Sequence, residues 1–246
     1  MIIQGGNLYG GKYVSTPTGS SPYVTSGLMM NLLTAPSSGT TWTDASGNGN
    51  NGTLYTANTG TLTYTSSNGG GLVAAGSSTS ANGNSTAITT NYALTTPFTV
   101  EMWCKPNGQR TWATMWGSDA YSSNTGWWAL WESSSTLQSG GVPGGVTYSQ
   151  SYTQSNPTHY VFTLTGSTYT IYINGVAVTF SGSYSAPTGG AGTSSLIFGS
   201  RHVNGGNSLG LDSLDGTYYQ MRVYNRALTS TEAAYNYSGT RGTIGV

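Results

Sequence analysis

Charged side chains are scarce in this chain. Lys, Arg, Asp and Glu supply 6% of its 246 residues, where an ordinary globular domain carries about 25%. Seven basic residues balance seven acidic ones, and they are scattered from Lys12 to Arg241. A nucleic-acid partner needs a basic stripe that displaces counterions from phosphates, so that class is excluded. Cysteine is limited to Cys104, which rules out an intramolecular disulfide and any metal cluster built on paired cysteines. His159 and His202 are the histidines. No Gly-x-Ser-x-Gly elbow accompanies them, and no glycine-rich loop leads from a strand into a helix with a Lys. Nucleophilic and phosphate-handling catalysis therefore have no support. No apolar run reaches the ~18 residues of a membrane span. The opening MIIQGGNLYGG lacks the basic region and long apolar stretch of a signal peptide, so the chain is expected to be made in a cytoplasm and not exported by the general route; a clipped leader replaced by a start Met would look the same.

Glycine and aromatic residues are abundant instead. The 37 glycines imply many tight turns. Aromatics reach 12%, which separates the chain from a disordered linker. The length suits one large all-β domain. Residues 1–26 show weak periodicity and Gly-Gly, Thr-Pro and Ser-Pro punctuation, and are read as an N-terminal arm able to lie on a partner. From Gly27 the pattern becomes short apolar or alternating runs between Gly/Ser/Asn clusters. Strands are expected at Gly27–Leu33, Phe98–Lys105, Gly126–Glu132, Tyr160–Thr165, Tyr169–Ile173, Val176–Phe180, Leu196–Gly199 and Tyr218–Tyr224. Asn174-Gly175 separates two of these by two residues, the signature of a hairpin with a type I′ turn. Thr229 and Glu232 have capping-box spacing, which predicts a short helix through Ala233, Ala234 and Tyr235. The domain is placed at 27–238, with a tail at 239–246. Many strands and one short helix make an antiparallel β-sandwich the expected architecture. Cys104 shares a face with Phe98, Val100 and Met102, so it reads as a small core residue.

The aromatics carry the binding hypothesis. Trp112, Trp116, Trp127, Trp128 and Trp131 cluster within one short stretch. Alternation puts Trp127 and Trp131 on one face and Trp128 on the other. An exposed indole can stack on a sugar ring while its N–H reaches a hydroxyl. These five are the candidate contacts to a glycan or protein partner. The alternative is that both faces are covered and the rings only pack.

Several segments resemble a known family. GTTWTDASGNGNNGTL (residues 39–54) is similar to the motif near the start of LamG-like, concanavalin A-like jelly rolls. Phe98–Pro106 resembles the family's central strand. Leu214–Tyr235 resembles its closing strand and helix, with Gly216, Arg222, Tyr224, Asn225, Arg226, Ala227, Leu228 and Glu232 in the expected places. The hairpin at Asn174-Gly175 also fits. The resemblance implies an antiparallel concanavalin-like jelly roll with one C-terminal helix. Trp42 is expected to plug the sandwich, and Arg222 to pair with an acidic residue or a loop carbonyl.

Members often carry an Asp-Glu pair in the closing strand, and some such domains hold calcium near it. Here Tyr219 and Gln220 occupy those positions. Calcium is still carried as a candidate cofactor, because the ion accepts mixed oxygen donors; Asp44, Asp212 and Asp215 are its candidate ligands. The alternative is that Asp44 bonds loop amides and Asp215 starts an Asp-Gly turn. Glycoside hydrolysis also occurs on this fold, but it needs two carboxylates about 5–9 Å apart. Glu101, Glu132 and Glu232 have no acidic neighbour at suitable spacing, so no enzyme is expected.

LamG-like domains of this Gly/Ser/Thr/Asn-rich kind are found among bacteriophage virion proteins. The resemblance thus implies a non-catalytic virion structural or decoration protein, assembled in the host cytoplasm. Its partners would be capsid or tail subunits, further copies of itself and host-surface glycans. The alternative is a secreted or cell-surface carbohydrate-binding adhesin or lectin.

Overall fold

The computed structural model describes residues 7–9, 12–14, 21–75, 85–107, 112–118, 126–133, 135–141, 144–149, 154–182, 195–203 and 208–246. The N-terminal arm contributes a small antiparallel hairpin of β1 (Asn7–Tyr9) and β2 (Lys12–Val14). Two antiparallel sheets form the body.

The first runs in the order β13 (Gly144–Ser149), β12 (Thr136–Gly141), β11 (Trp127–Ser133), β10 (Ala113–Gly117), β17 (Ser195–Phe198), β8 (Ser85–Ala93), β5 (Gly52–Ala57), β4 (Thr41–Trp42). The second runs β16 (Val176–Ala177), β15 (Thr168–Ile173), β14 (Thr158–Thr165), β9 (Phe98–Pro106), β20 (Gly216–Tyr224), β7 (Gly71–Ala75), β6 (Thr61–Thr65). β20 is long enough to serve two neighbours along one edge. Its first half pairs with β7 and its second half with β3 (Leu28–Leu32). A further hairpin, β18 (Arg201–Val203) with β19 (Ser208–Leu211), completes the sandwich.

Period-two alternation fills the space between the sheets. Phe98, Val100, Met102 and Cys104 of β9 meet Trp116, Trp127 and Trp131 of the opposite sheet, with Trp42, Phe162 and Tyr218 in the same core. Phe98 makes edge-to-face contacts with Trp116 at 6.1 Å and Trp127 at 5.1 Å between centroids, the geometry that aromatic quadrupoles favour. Cys104 and Trp42 are core residues, as expected. Asn174 and Gly175 take φ of 50° and 78°, the two positive values of a type I′ turn.

α1 (Ser230–Ile244) lies on the outer face of the second sheet. Its start is the predicted capping box, with Thr229 and Glu232 reciprocally bonded. The expected tail at 239–246 is a correction: the helix continues to Ile244. Ser238, Gly239, Gly242 and Thr243 are poor helix formers, so propensity alone stops the helix early. Tertiary contacts override it. Thr240 accepts the Trp103 indole N–H at 2.8 Å, and Ile244 packs with Trp103 and Tyr219. The expected strand Val176–Phe180 is likewise shorter, ending at Ala177. Beyond it the chain crosses to the first sheet, where Ser181 exchanges backbone bonds with Thr147 at 2.9 Å.

The last residues of the expected arm are bound to the domain. The Tyr235 hydroxyl donates to the Ser21 carbonyl, the Val24 amide to Asn236 Oδ1 and Arg226 Nε to the Ser26 carbonyl. Residues 21–26 thus form a strap across α1.

Candidate functional site

The structure separates the five tryptophans. Trp116, Trp127 and Trp131 are core residues, and Trp128 on the outer face is 8% exposed. For these four the contact expectation is corrected. β10 and β11 are interior strands of their sheet, so their inward rings fill the sandwich, and the outer face around Trp128 and Leu130 is covered as well. Trp112 alone among them stands out, 42% exposed.

Local backbone bonds hold Trp112 in place. Its amide donates to the Trp131 carbonyl at 2.6 Å, and its own carbonyl accepts from the Thr114 hydroxyl. Its φ is +68°. The described non-glycine residues with positive φ are Asn58, Asn68, Trp112, Asn174 and Asp212. Asn and Asp tolerate the left-handed region through short polar side chains; Trp does not, and the strain is about 1–3 kcal/mol. Asp212, the one carboxylic member of the five, lies beside Thr114. The Thr114 amide donates to the Asp212 carbonyl at 2.6 Å, and Thr114 bridges to Ser213. Trp112 and Asp212 thus both flank Thr114 at one end of the sandwich, where β10 begins. The exposed indole N–H has no hydrogen-bond partner among the described residues. Strain that exposes a large ring, where burial would be worth a few kcal/mol, marks this end as the candidate site.

Among the described residues no three His, Cys, Asp or Glu side chains group closely enough to hold an ion. Asp44 is occupied by its own loop. Oδ1 accepts from the Asn31 and Ser46 amides, and Oδ2 from the Ser46 hydroxyl and the Asn50 amide, all at 2.8–2.9 Å. A carboxylate has about four acceptor positions, and these donors fill them. Burial alone would raise the Asp44 pKa; the amide bonds outweigh it and hold the carboxyl below its usual range. The backbone carbonyls of Asp212 and Asp215 accept from the Thr114 and Asn107 amides.

A second polar cluster, at Glu101, was not read from the sequence beyond the Arg222 pairing. Glu101 is fully buried between the second sheet and α1. It receives Arg222 Nη1 at 2.7 Å, His159 Nε2 at 3.1 Å and the Asn236 amide at 2.6 Å. Arg222 also donates to Gln220 at 2.6 Å and stacks over the Tyr23 ring, 4.3 Å from its centroid. Burial would push the Glu101 carboxyl up, but Arg222 and His159 draw it down to about 2. The group is an anion at neutral pH and fastens the helix to the sheet.

A family model for the concanavalin A-like lectin/glucanases superfamily matches residues 78–234, more than half of the chain. The chain belongs to this superfamily. No curated protein matches it. Among solved structures, domain 4 of AbnA, a GH43 extracellular arabinanase from Geobacillus stearothermophilus in complex with arabinotriose, is similar with a TM-score of 0.60 and 20% identity. The match covers 85% of this chain and 98% of that one. The binding domain of botulinum neurotoxin serotype D/C gives 0.60 and 15%, covering 86% of this chain and 52% of that one. A Trypanosoma rangeli sialidase mutant displaying trans-sialidase activity gives 0.57 and 15%, covering 89% and 34%. The chain thus spans about half of the neurotoxin domain and a third of the sialidase. At these identities the likeness is one of fold: a concanavalin-like jelly roll with a helix on one face.

Proposed function

We propose that this superfamily member is a non-catalytic glycan-binding domain, and that Trp112 is its stacking platform. The observation that carries the reading is the exposed, strained indole at the end of the sandwich. A flat apolar ring with a free N–H at its edge matches a sugar, whose C–H face stacks while its hydroxyls accept. The arabinanase domain of the same fold was captured with arabinotriose, which supports the ligand class.

Chemistry at the carboxylates supports binding over hydrolysis. Glu101 is buried and occupied, and Glu232 is held in the helix cap by Arg226 at 2.6 and 2.9 Å. Neither is presented to a scissile bond. A glycan array on the whole chain tests the reading. Binding that vanishes in Trp112→Asn at unchanged fold supports it, and an array blank for every glycan overturns it.

The setting we propose is a bacteriophage particle, with the domain as a decoration or attachment protein. Seven Lys and Arg residues in 246 leave few cleavage points for trypsin-like proteases, which suits a particle outside its host. The β1–β2 hairpin, set before the body of the sandwich, supports contact with a neighbouring subunit. Mass spectrometry of purified particles from the source is the test. Tens to hundreds of copies per particle are expected; absence moves the glycan-binding domain to a cell surface.

A further inference from the structure

We propose that the chain has a second ligand site, a polar cleft on the outer face of the helix-bearing sheet, and that it takes a neutral oligosaccharide. The ligand class rests on the carbohydrate reading above; the site rests on its own geometry. α1 covers the outer face of β9 and β20 over Trp103 and Tyr219, then stops at Gly245. The next outward-facing pair, Lys105 and Thr217, are register partners left uncovered. Around them opens a cleft of about 660 Å³, with Asn68, Asn107, Gln154 and Asp215 in its walls. Ligand pockets run to roughly 300–1,000 Å³, so two or three sugar rings fit.

The walls are fixed by backbone bonds. The Asn107 amide donates to the Asp215 carbonyl at 3.0 Å, and the Gln154 amide to the Pro106 carbonyl at 3.3 Å. The Asn68 side chain donates to the Ile244 carbonyl at 2.9 Å, tying one wall to the end of α1. A bulge in β20 between Tyr218 and Gln220 turns the strand beside the cleft floor. Such bulges re-aim side chains next to binding sites. A cleft held in this way loses little freedom when a ligand arrives.

The lining chemistry selects the ligand. Lys105 is half-buried, and neither its ammonium nor the Asn107 side-chain amide has a hydrogen-bond partner among the described residues. Asn107 is exposed, so both donors are open to a ligand's acceptors. Lys105 and Asp215 are the charged residues among those lining the cleft, and they cancel. A sugar hydroxyl accepts from the ammonium and from the amide without bringing a charge. A carboxylate-bearing sugar would gain Lys105 and be repelled by Asp215. No ring is exposed in the cleft, since Tyr219 is 3% exposed. Recognition there is by hydroxyls, which distinguishes it from stacking on Trp112.

The test is a titration of the ¹⁵N-labelled full chain with neutral pentose and hexose trisaccharides, and with trisaccharides ending in sialic or uronic acid. The expected result is amide shifts at 105–107, 154 and 215–219 with neutral sugars. Affinity read there falls about tenfold or more in Lys105→Met and in Asn107→Ala, and is kept in Trp112→Asn. Shifts confined to the surroundings of Trp112, untouched by the cleft variants, overturn the cleft and leave the carbohydrate reading standing. A response to acidic sugars alone overturns the neutral class. No response to any sugar at millimolar concentration overturns both readings.

Discussion

Arg222 Nη1 lies 2.7 Å from Glu101 Oε1, and both side chains are fully buried. The pair joins the central strand to the closing strand, and Asn236 and His159 attach it to the helix and to β14. Glu101 has a folded pKa of about 2, below the ordinary 4.5. A depressed carboxylate stabilises the fold fully above the unfolded value and loses that contribution as pH falls towards the folded one. Melting temperature should therefore hold down to about pH 4.5 and drop between there and about pH 2. Glu232 titrates over the same range, drawn down to about 2 first by Arg226, but solvent screens it and its share is small. Glu101→Gln leaves Arg222 without its counter-ion in a buried site, which costs roughly 3–5 kcal/mol at neutral pH. The variant's acid limb should be shallower. Urea melts of both proteins at stepped pH measure each effect, and parallel limbs would refute the assignment.

A methyl group at Gly239 would test the strap. Ala is the better helix former by about 1 kcal/mol, so Gly239→Ala would stabilise an isolated helix. Here a Cβ would sit 2.0 Å from the Pro22 carbonyl oxygen, a backbone atom with little room to yield. Overpacking of this kind costs about 1–3 kcal/mol. The expected outcome is net destabilisation, with earlier protease cleavage near residues 21–26. A more stable Gly239→Ala protein would mean that the strap does not rest on the helix in solution.

Much of this architecture was legible in the sequence where local and tertiary preferences agree. β9 and β20 alternate cleanly, Asn174-Gly175 permits the turn it makes, and Thr229 caps the helix through its own neighbour Glu232. The Thr-rich strands β5, β6 and β8 were not read, because threonine supplies strand propensity without apolar contrast. β12 and β13 were hidden by glycine, which lacks both strand propensity and a side chain to show alternation. Alternation assigned the tryptophans to faces correctly, yet it carries no information on whether the second face is covered. The cleft was invisible because Lys105, Asn107, Gln154 and Asp215 come together only through sheet pairing and the end of α1.

Asp44 gives a prediction about metal. Its four donors come from Asn31, Ser46 and Asn50, so the carboxylate organises the 44–51 loop from within. Asp44→Ala orphans those amides, and unsatisfied buried donors cost about 1–3 kcal/mol each, less when the loop relaxes. Destabilisation of roughly 3 kcal/mol is expected. Because no acceptor position on Asp44 is spare, melting should be the same in excess calcium and in chelator. A rise in melting temperature with calcium, abolished by Asp44→Ala, would reverse this conclusion.

Trp112 and its neighbours respond differently to truncation, and the contrast decides whether this end of the sandwich binds or merely packs. Trp116, Trp127 and Trp131 are buried among Phe98, Phe162 and the opposite sheet. Replacing any one by Ala should cost about 3–5 kcal/mol through lost burial and the cavity left behind. Trp112 is 42% exposed and sits at a positive φ. Trp112→Asn places there a side chain that accepts the left-handed backbone. Relief of strain then offsets part of the lost contact, and stability should stay within about 1 kcal/mol of the parent. Denaturant melts across the four variants measure this ordering, and glycan binding by the folded Trp112→Asn protein supplies the second axis. Normal stability with lost binding makes the exposed ring a recognition surface held out at a local cost in strain. Lost stability with unchanged binding makes it a packing residue, and would transfer glycan recognition to the cleft beside Lys105.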